Sequence, residues 1–114
     1  MKVPLQHIPK PWGFEEIICN TEDYCGKFLH IKEGQRTSWH YHKIKDEHFH
    51  IQRGRLVLYY SEDMDFSRAK VVTLSEGETA HIPVGTVHRL EAQVDTVVLE
   101  ISTTHFDSDS IRLN

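Results

Sequence analysis

Positive charge is in short supply. Thirteen Lys and Arg stand against 17 Asp and Glu, leaving a formal net charge of −4 at pH 7 and a pI near 6.1. No expected element carries a basic stripe, so nucleic acid is not an expected partner. Cysteine is scarce as well: Cys19 and Cys25 are the only two, and their spacing fits neither a zinc motif nor a redox motif. Two reduced thiols in a cytoplasmic protein is the simplest expectation. No apolar run approaches the length that spans a membrane. The opening residues, Met1 to Trp12, hold three prolines where a leader would have an apolar stretch. Internal repeats and low-complexity tracts are missing, and no 3.6-residue apolar period lasts long enough for an ordinary helix.

What remains is a chain of short strands. Alternating or β-branched runs predict strands at 14–19, 27–31, 37–42, 47–52, 55–60, 69–74, 79–82, 87–92 and 96–102. Gly26, Gly34, Gly54, Gly77 and Gly85 mark turns between them. At 114 residues this is one all-β domain, a small barrel or two-sheet sandwich. An N-terminal arm over about 1–13 and a polar, mobile tail over about 103–114 flank it.

Histidine is plentiful, with nine in the chain. His40 and His42 are two apart and project from one face of a strand. Glu47 returns on the next strand after the turn Lys43-Ile44-Lys45-Asp46, so two imidazoles and a carboxylate converge. His88, behind Pro83-Val84-Gly85, supplies a third imidazole from a later strand. Three nitrogens and one oxygen suit a divalent transition metal (Zn, Mn, Fe, Co or Ni) better than Ca or Mg. His7, His30, His50 and His105 read as ordinary strand or surface residues, and His48 faces away from Glu47. His81 is expected at the barrel mouth, within reach of a substrate. Alternation turns Phe49, Ile51, Leu90 and Ala92 inward with the metal, and Arg89 and Glu91 outward or towards a neighbouring loop. The pocket is expected to be mostly apolar with few polar partners.

These residues resemble the cupin superfamily. The pattern G-x5-H-x-H-x4-E-x6-G is met at Gly34, His40, His42, Glu47 and Gly54. The pattern G-x5-P-x-G-x2-H-x3-N is met at Gly77, Pro83, Gly85 and His88, with Ala92 in place of the usual Asn. The implied fold is a double-stranded β-helix, or jelly-roll barrel. Lys10-Pro11-Trp12-Gly13 with Glu15 or Glu16 behind it, Lys27, the run Ile82 to Glu91 and the tail Ser108 to Leu113 look like the type II mannose-6-phosphate isomerase cupins. Those occur alone or fused to mannose-1-phosphate guanylyltransferases. His40 stands where many members have Gln, and Phe28 where Arg is frequent.

The resemblance implies aldose–ketose interconversion of a sugar phosphate through a metal-stabilised enediolate. Lys27 and Arg89 are then the candidate catalytic residues, and Arg36, Lys43, His81 and Phe49 the candidate substrate contacts. Trp12 is expected to close the barrel end or pack between subunits, and cupin barrels commonly form homodimers. Two alternatives of other classes stay open: a metal-dependent cupin dioxygenase, and a non-catalytic sugar-binding module.

Overall fold

The nine expected strands and two more form, and the computed structural model describes the whole chain, Met1–Asn114. They are β1 (Gln6–Lys10), β2 (Gly13–Asn20), β3 (Cys25–Ile31), β4 (His40–His42), β5 (Glu47–Arg53), β6 (Arg55–Ser61), β7 (Lys70–Ser75), β8 (Thr79–Ile82), β9 (Val87–Ala92), β10 (Thr96–Ser102) and β11 (Ser110–Arg112). Short 3-10 turns at Phe66–Arg68 and Asp107–Asp109 are the only helical pieces. Two antiparallel sheets result, a six-stranded one in the order β1-β2-β3-β10-β5-β8 and a five-stranded one in the order β11-β4-β9-β6-β7.

The apolar core lies between the sheets. Leu29, Ile31, Phe49, Ile51 and Val98 come from one, and Leu56, Leu58, Leu74, Leu90 and Ala92 from the other. Each such side chain, fully removed from water, contributes about 1.5–3 kcal/mol for the larger residues. The inward rows change character along the strands. At one level Leu29, Val98 and Ile51 lie side by side across β3, β10 and β5. One step along stand Lys27, Glu100 and Phe49, and a further step Cys25, Ser102 and Glu47. All nine are buried. One end of the sandwich is therefore sealed with hydrocarbon, and the other is polar inside.

Two strands lie outside the sequence expectation. Residues 6–10, read as part of an N-terminal arm with no strand assigned, form β1 and pair with β2 from Gln6↔Ile17 to Lys10↔Gly13. Pro9 is tolerated because β1 is the edge of its sheet, where a missing N–H leaves no neighbour unpaired. The tail, expected to be mobile, instead adds β11 beside β4, with Ser110↔His42 and Arg112↔His40 in register. Its order comes from Asp109, whose carboxylate accepts from three backbone N–H groups of the turn after β4. At Gly13, φ is +151° and a Cβ would overlap the carbonyl oxygen of His30, so only glycine admits the close approach of β2 to β3.

Part of the outer face of the five-stranded sheet is also covered. Phe66 packs edge-on against Trp39, ring centroids 5.1 Å apart, and lies over Tyr59 at 5.5 Å. Trp39 is held by a hydrogen bond from its indole N–H to the Met64 carbonyl, 3.1 Å. That cover explains how Arg89, an outward residue of β9, is nevertheless buried.

Candidate metal centre

β4 and β9 run side by side with His40 directly opposite His88, and His42 lies two residues along on the same face. Donor atoms of His40, His42 and His88 all lie within 4.8 Å of one another. Glu47, brought in from the facing sheet, places Oε2 3.3 Å from Nε2 of His42 and 3.3 Å from Nε2 of His88.

Backbone contacts decide which ring nitrogens face inward. Nδ1 of His88 donates to the Thr86 carbonyl at 2.9 Å, and Nδ1 of His40 to the Ser38 carbonyl at 2.8 Å. With Nδ1 protonated in both, Nε2 presents a lone pair. Nδ1 of His42 points towards Oδ2 of Asp109, 3.8 Å away. The site is thus a convergence of acceptors. Glu47 Oε2 is buried without a hydrogen-bond partner while facing Nε2 of His88, whose proton is on the other ring nitrogen, and Nε2 of His42. A cation satisfies such a set, and the residues fit a divalent transition metal. Burial, reinforced by His88, lowers the pKa of His40 to about 3. Burial and Lys45 lower that of His42 to about 4, so both rings are neutral, as ligands must be. Burial raises the Glu47 carboxyl, and Glu100 raises it further.

The donor set opens into a cavity of about 600 Å³. Its wall is not the apolar surface expected. Glu15, Lys27, Lys45, Glu100 and His105 line it, and Leu29, Phe49, Leu90 and Trp12 provide the apolar part. The difference arises because inward positions on β3 and β10 turn from aliphatic to charged just at the level of the histidine donors, which single-strand alternation cannot reveal. Lys45 Nζ lies 3.0 Å from Glu100 Oε2, 3.0 Å from His105 Nδ1 and 3.8 Å from Glu47 Oε1. Burial works against the Glu100 carboxylate, but Lys27 and Lys45 outweigh it and hold the group at about 2. Burial likewise opposes the Lys45 ammonium, and Glu100 and Glu47 outweigh that, raising its pKa.

The remaining expected residues divide. Lys27 is buried on the cavity wall with Nζ 3.4 Å from Glu15 Oε2. Phe49 forms the apolar floor, its ring 5.8 Å from that of His88, and Arg36 is exposed at the mouth. Arg89 borders the cavity through its strand, but its guanidinium sits 5.0 Å over the Phe66 ring, on the side of β9 opposite His88. Lys43 and His81 do not line the cavity. Lys43 is exposed in the turn after β4. His81 follows the β8 alternation outward, away from the mouth where it was expected, and bonds Asp46 at 2.8 Å. Trp12 packs half-buried against the core and borders the cavity, as a barrel-closing residue should.

Besides Glu100, which went unremarked inside its strand, three participants escaped the sequence reading. Lys45 lay in a segment read only as a turn, and His105 read as an ordinary surface histidine. Asp109 is the third. Its Oδ1 accepts from the backbone N–H groups of Lys43 and Ile44 at 2.8 and 2.9 Å, and its Oδ2 from Lys45 at 2.9 Å. One carboxylate thereby fixes the turn joining His42 to Glu47.

Two facing antiparallel sheets with a three-histidine set at the open end define a cupin. The chain belongs to the mannose-6-phosphate isomerase C-terminal family, whose model matches residues 4–113. It is 28% identical over 108 residues to a mannose-1-phosphate guanylyltransferase of Salmonella muenchen, covering 91% of this chain and 21% of that protein. The chain therefore spans about a fifth of that relative. It is 33% identical over 82 residues to the uncharacterised protein YdbB of Bacillus subtilis (strain 168), covering 72% of this chain and 66% of that one. Among solved structures, the capsular polysaccharide assembling protein CapF of Staphylococcus aureus superimposes with a TM-score of 0.85 at 24% identity, over 99% of this chain and 35% of that chain. KdgF of a Halomonas species gives 0.76 at 20%, over 93% and 90%. These two likenesses carry the fold alone. No helix is long and apolar enough to cross a membrane.

Proposed function

We propose that this cupin is a metal-dependent isomerase interconverting an aldose phosphate and a ketose phosphate, with mannose 6-phosphate as the first substrate to test. The observation that carries the reading is the distribution of charge along the cavity. Metal donors stand at its base, two buried ammonium groups, Lys27 and Lys45, on its wall, and Lys10, Arg36 and Arg112 around its rim. An anionic group held at the rim while a polyol chain reaches the base is the arrangement a sugar phosphate would take. Family membership and the guanylyltransferase relative support the same substrate class.

His40, His42, His88 and Glu47 would hold the ion, which, when bound, supplies positive charge to the substrate oxygens. Lys27 is placed to hydrogen-bond a sugar hydroxyl or carbonyl oxygen. Glu15, which accepts from Lys27, is a wall carboxylate outside the donor set, suited to carry the proton between C1 and C2. Lys45, locked to Glu100, orients Glu47 and keeps the base of the cavity charged. Phe49 and Trp12 limit water at the reacting carbons. A homodimer belongs to this proposal, because β1 and β8 leave both edges of the six-stranded sheet unpaired.

Protein stripped and reloaded separately with Zn, Mn, Co and Fe(II), then given mannose 6-phosphate with and without oxygen, tests the reading. Fructose 6-phosphate formed without oxygen demand, and lost in Glu15→Gln, supports it. Oxygen uptake with Fe(II) would establish the dioxygenase instead, and sugar binding without turnover the binding module. Sedimentation at equilibrium checks the dimer.

A further inference from the structure

Strand alternation that sends Glu47 into the cavity sends its neighbour His48 to the outer face, where a second constellation of ligating groups assembles. His48 on β5 lies directly opposite His81 on β8. Their rings stack at 4.4 Å between centroids with planes only 12° apart. His81 Nε2 is 2.8 Å from Asp46 Oδ1, and one donor atom from each of the three residues falls within 4.8 Å of the other two. We propose that Asp46, His48 and His81 form a second divalent transition-metal site, separate from the cavity, that clips the edge strand β8 to β5.

Three features make this more than a surface histidine beside an acid. The imidazoles sit at paired positions of adjacent strands, so their Cα atoms are fixed by the ladder and chelation costs only side-chain entropy. Asp46 is pinned too. Its N–H donates to Thr103 Oγ1 at 3.1 Å and its carbonyl accepts from the Thr103 N–H at 3.0 Å. The donor set, two nitrogens and one carboxylate oxygen, is selective by kind. It suits Zn, Cu, Ni or Co, while Ca and Mg prefer oxygen cages. With three protein ligands, His48 and His81 exposed and Asp46 partly so, the remaining positions go to water, and the site is weaker than the buried one.

Location gives the clip a consequence. β8 is the outermost strand of its sheet, and the chain passes from it through Pro83-Val84-Gly85 to the cavity ligand His88. Asp46 lies between Lys45 and Glu47, both on the cavity wall. An ion here would therefore steady the outer ends of two segments whose inner residues build the cavity.

Zinc titration of metal-stripped protein by calorimetry, with bound metal counted by mass spectrometry, tests the proposal. Wild type should take up two ions, one tightly and one at least tenfold more weakly. His81→Ala, His48→Ala and Asp46→Asn should each weaken or abolish only the second event. In His88→Ala, zinc should still raise the melting temperature, and in the His81→Ala/His88→Ala double variant it should not. Should either variant fail to fold, the wild-type and His48→Ala stoichiometries decide alone. A single ion in wild type that His48→Ala and His81→Ala leave unchanged, or two ions of unchanged affinity in both variants, overturns the proposal.

Discussion

Asp109→Ala removes one carboxylate and leaves three consecutive backbone N–H groups, on Lys43, Ile44 and Lys45, without an acceptor. The carboxylate is buried, so little water replaces it. Hydrogen bonds to a charged group are worth about 1.5–3 kcal/mol each, and three sharing one side chain do not add fully. A loss of about 3–5 kcal/mol follows. For a domain of this size that corresponds to a fall in melting temperature of roughly 12–20 °C, at about 4 °C per kcal/mol. Asp109→Asn keeps one oxygen and the shape, and should fall about midway. The turn it holds lies between His42 and Glu47, so zinc affinity should drop as well, by the roughly 10–100-fold typical of lost outer partners. Thermal denaturation by circular dichroism in EDTA, followed by zinc titration of the folded variants, reads both effects. An Asp109→Ala melting point within about 4 °C of wild type would show that the tail merely rests on β4, and the account of its order would be wrong.

Metal-free protein should lose stability in acid. The folded-state values of His40 and His42 lie below the ordinary 6.5, at about 3 and about 4. Their contribution is therefore complete above pH 6.5 and fades as pH falls towards those values, by a total of about 2–4 kcal/mol between pH 6.5 and 4.5. The raised Glu47 carboxyl works the other way and offsets part of this. Urea midpoints in EDTA at pH 7.5 and 4.5 measure the net, and equal or greater stability at 4.5 refutes it. Glu100→Gln strips Lys45 of its 3.0 Å partner in a buried site and should cost about 3 kcal/mol; a variant as stable as wild type in urea would mean that water reaches Lys45. At Gly54 a Cβ would meet the Asp95 carbonyl oxygen at 2.6 Å, whereas at Gly77 nothing lies within 4 Å, though φ is positive at both. Gly77→Ala should thus cost about 1–2 kcal/mol, the backbone term alone, and Gly54→Ala clearly more; the reverse order would overturn the steric argument.

The spacing of residues along the chain was enough for the all-β fold, for most of the strands and for the identity of the inward-facing donors. A strand has a period of two, so His40 with His42, or Glu47 with Phe49, declares a shared face without further information. Residues far apart in sequence are a different matter. Which strands lie beside β3 was hidden, so Glu100, brought next to Lys27 by the β3–β10 pairing, and Lys45 could not be foreseen as buried partners, and the cavity was expected to be apolar. No strand was assigned to residues 6–10, because local propensity does not reveal that a proline-containing strand will lie at a sheet edge. The acidic tail read as solvent-seeking. In the folded protein Asp109 meets three unpaired amides 64 to 66 residues away, and that meeting turns a polar segment into a strand. Local periodicity determined which side chains point together; only the pairing of distant strands decided which charges are buried with them, because burial and Coulomb energy depend on neighbours in space.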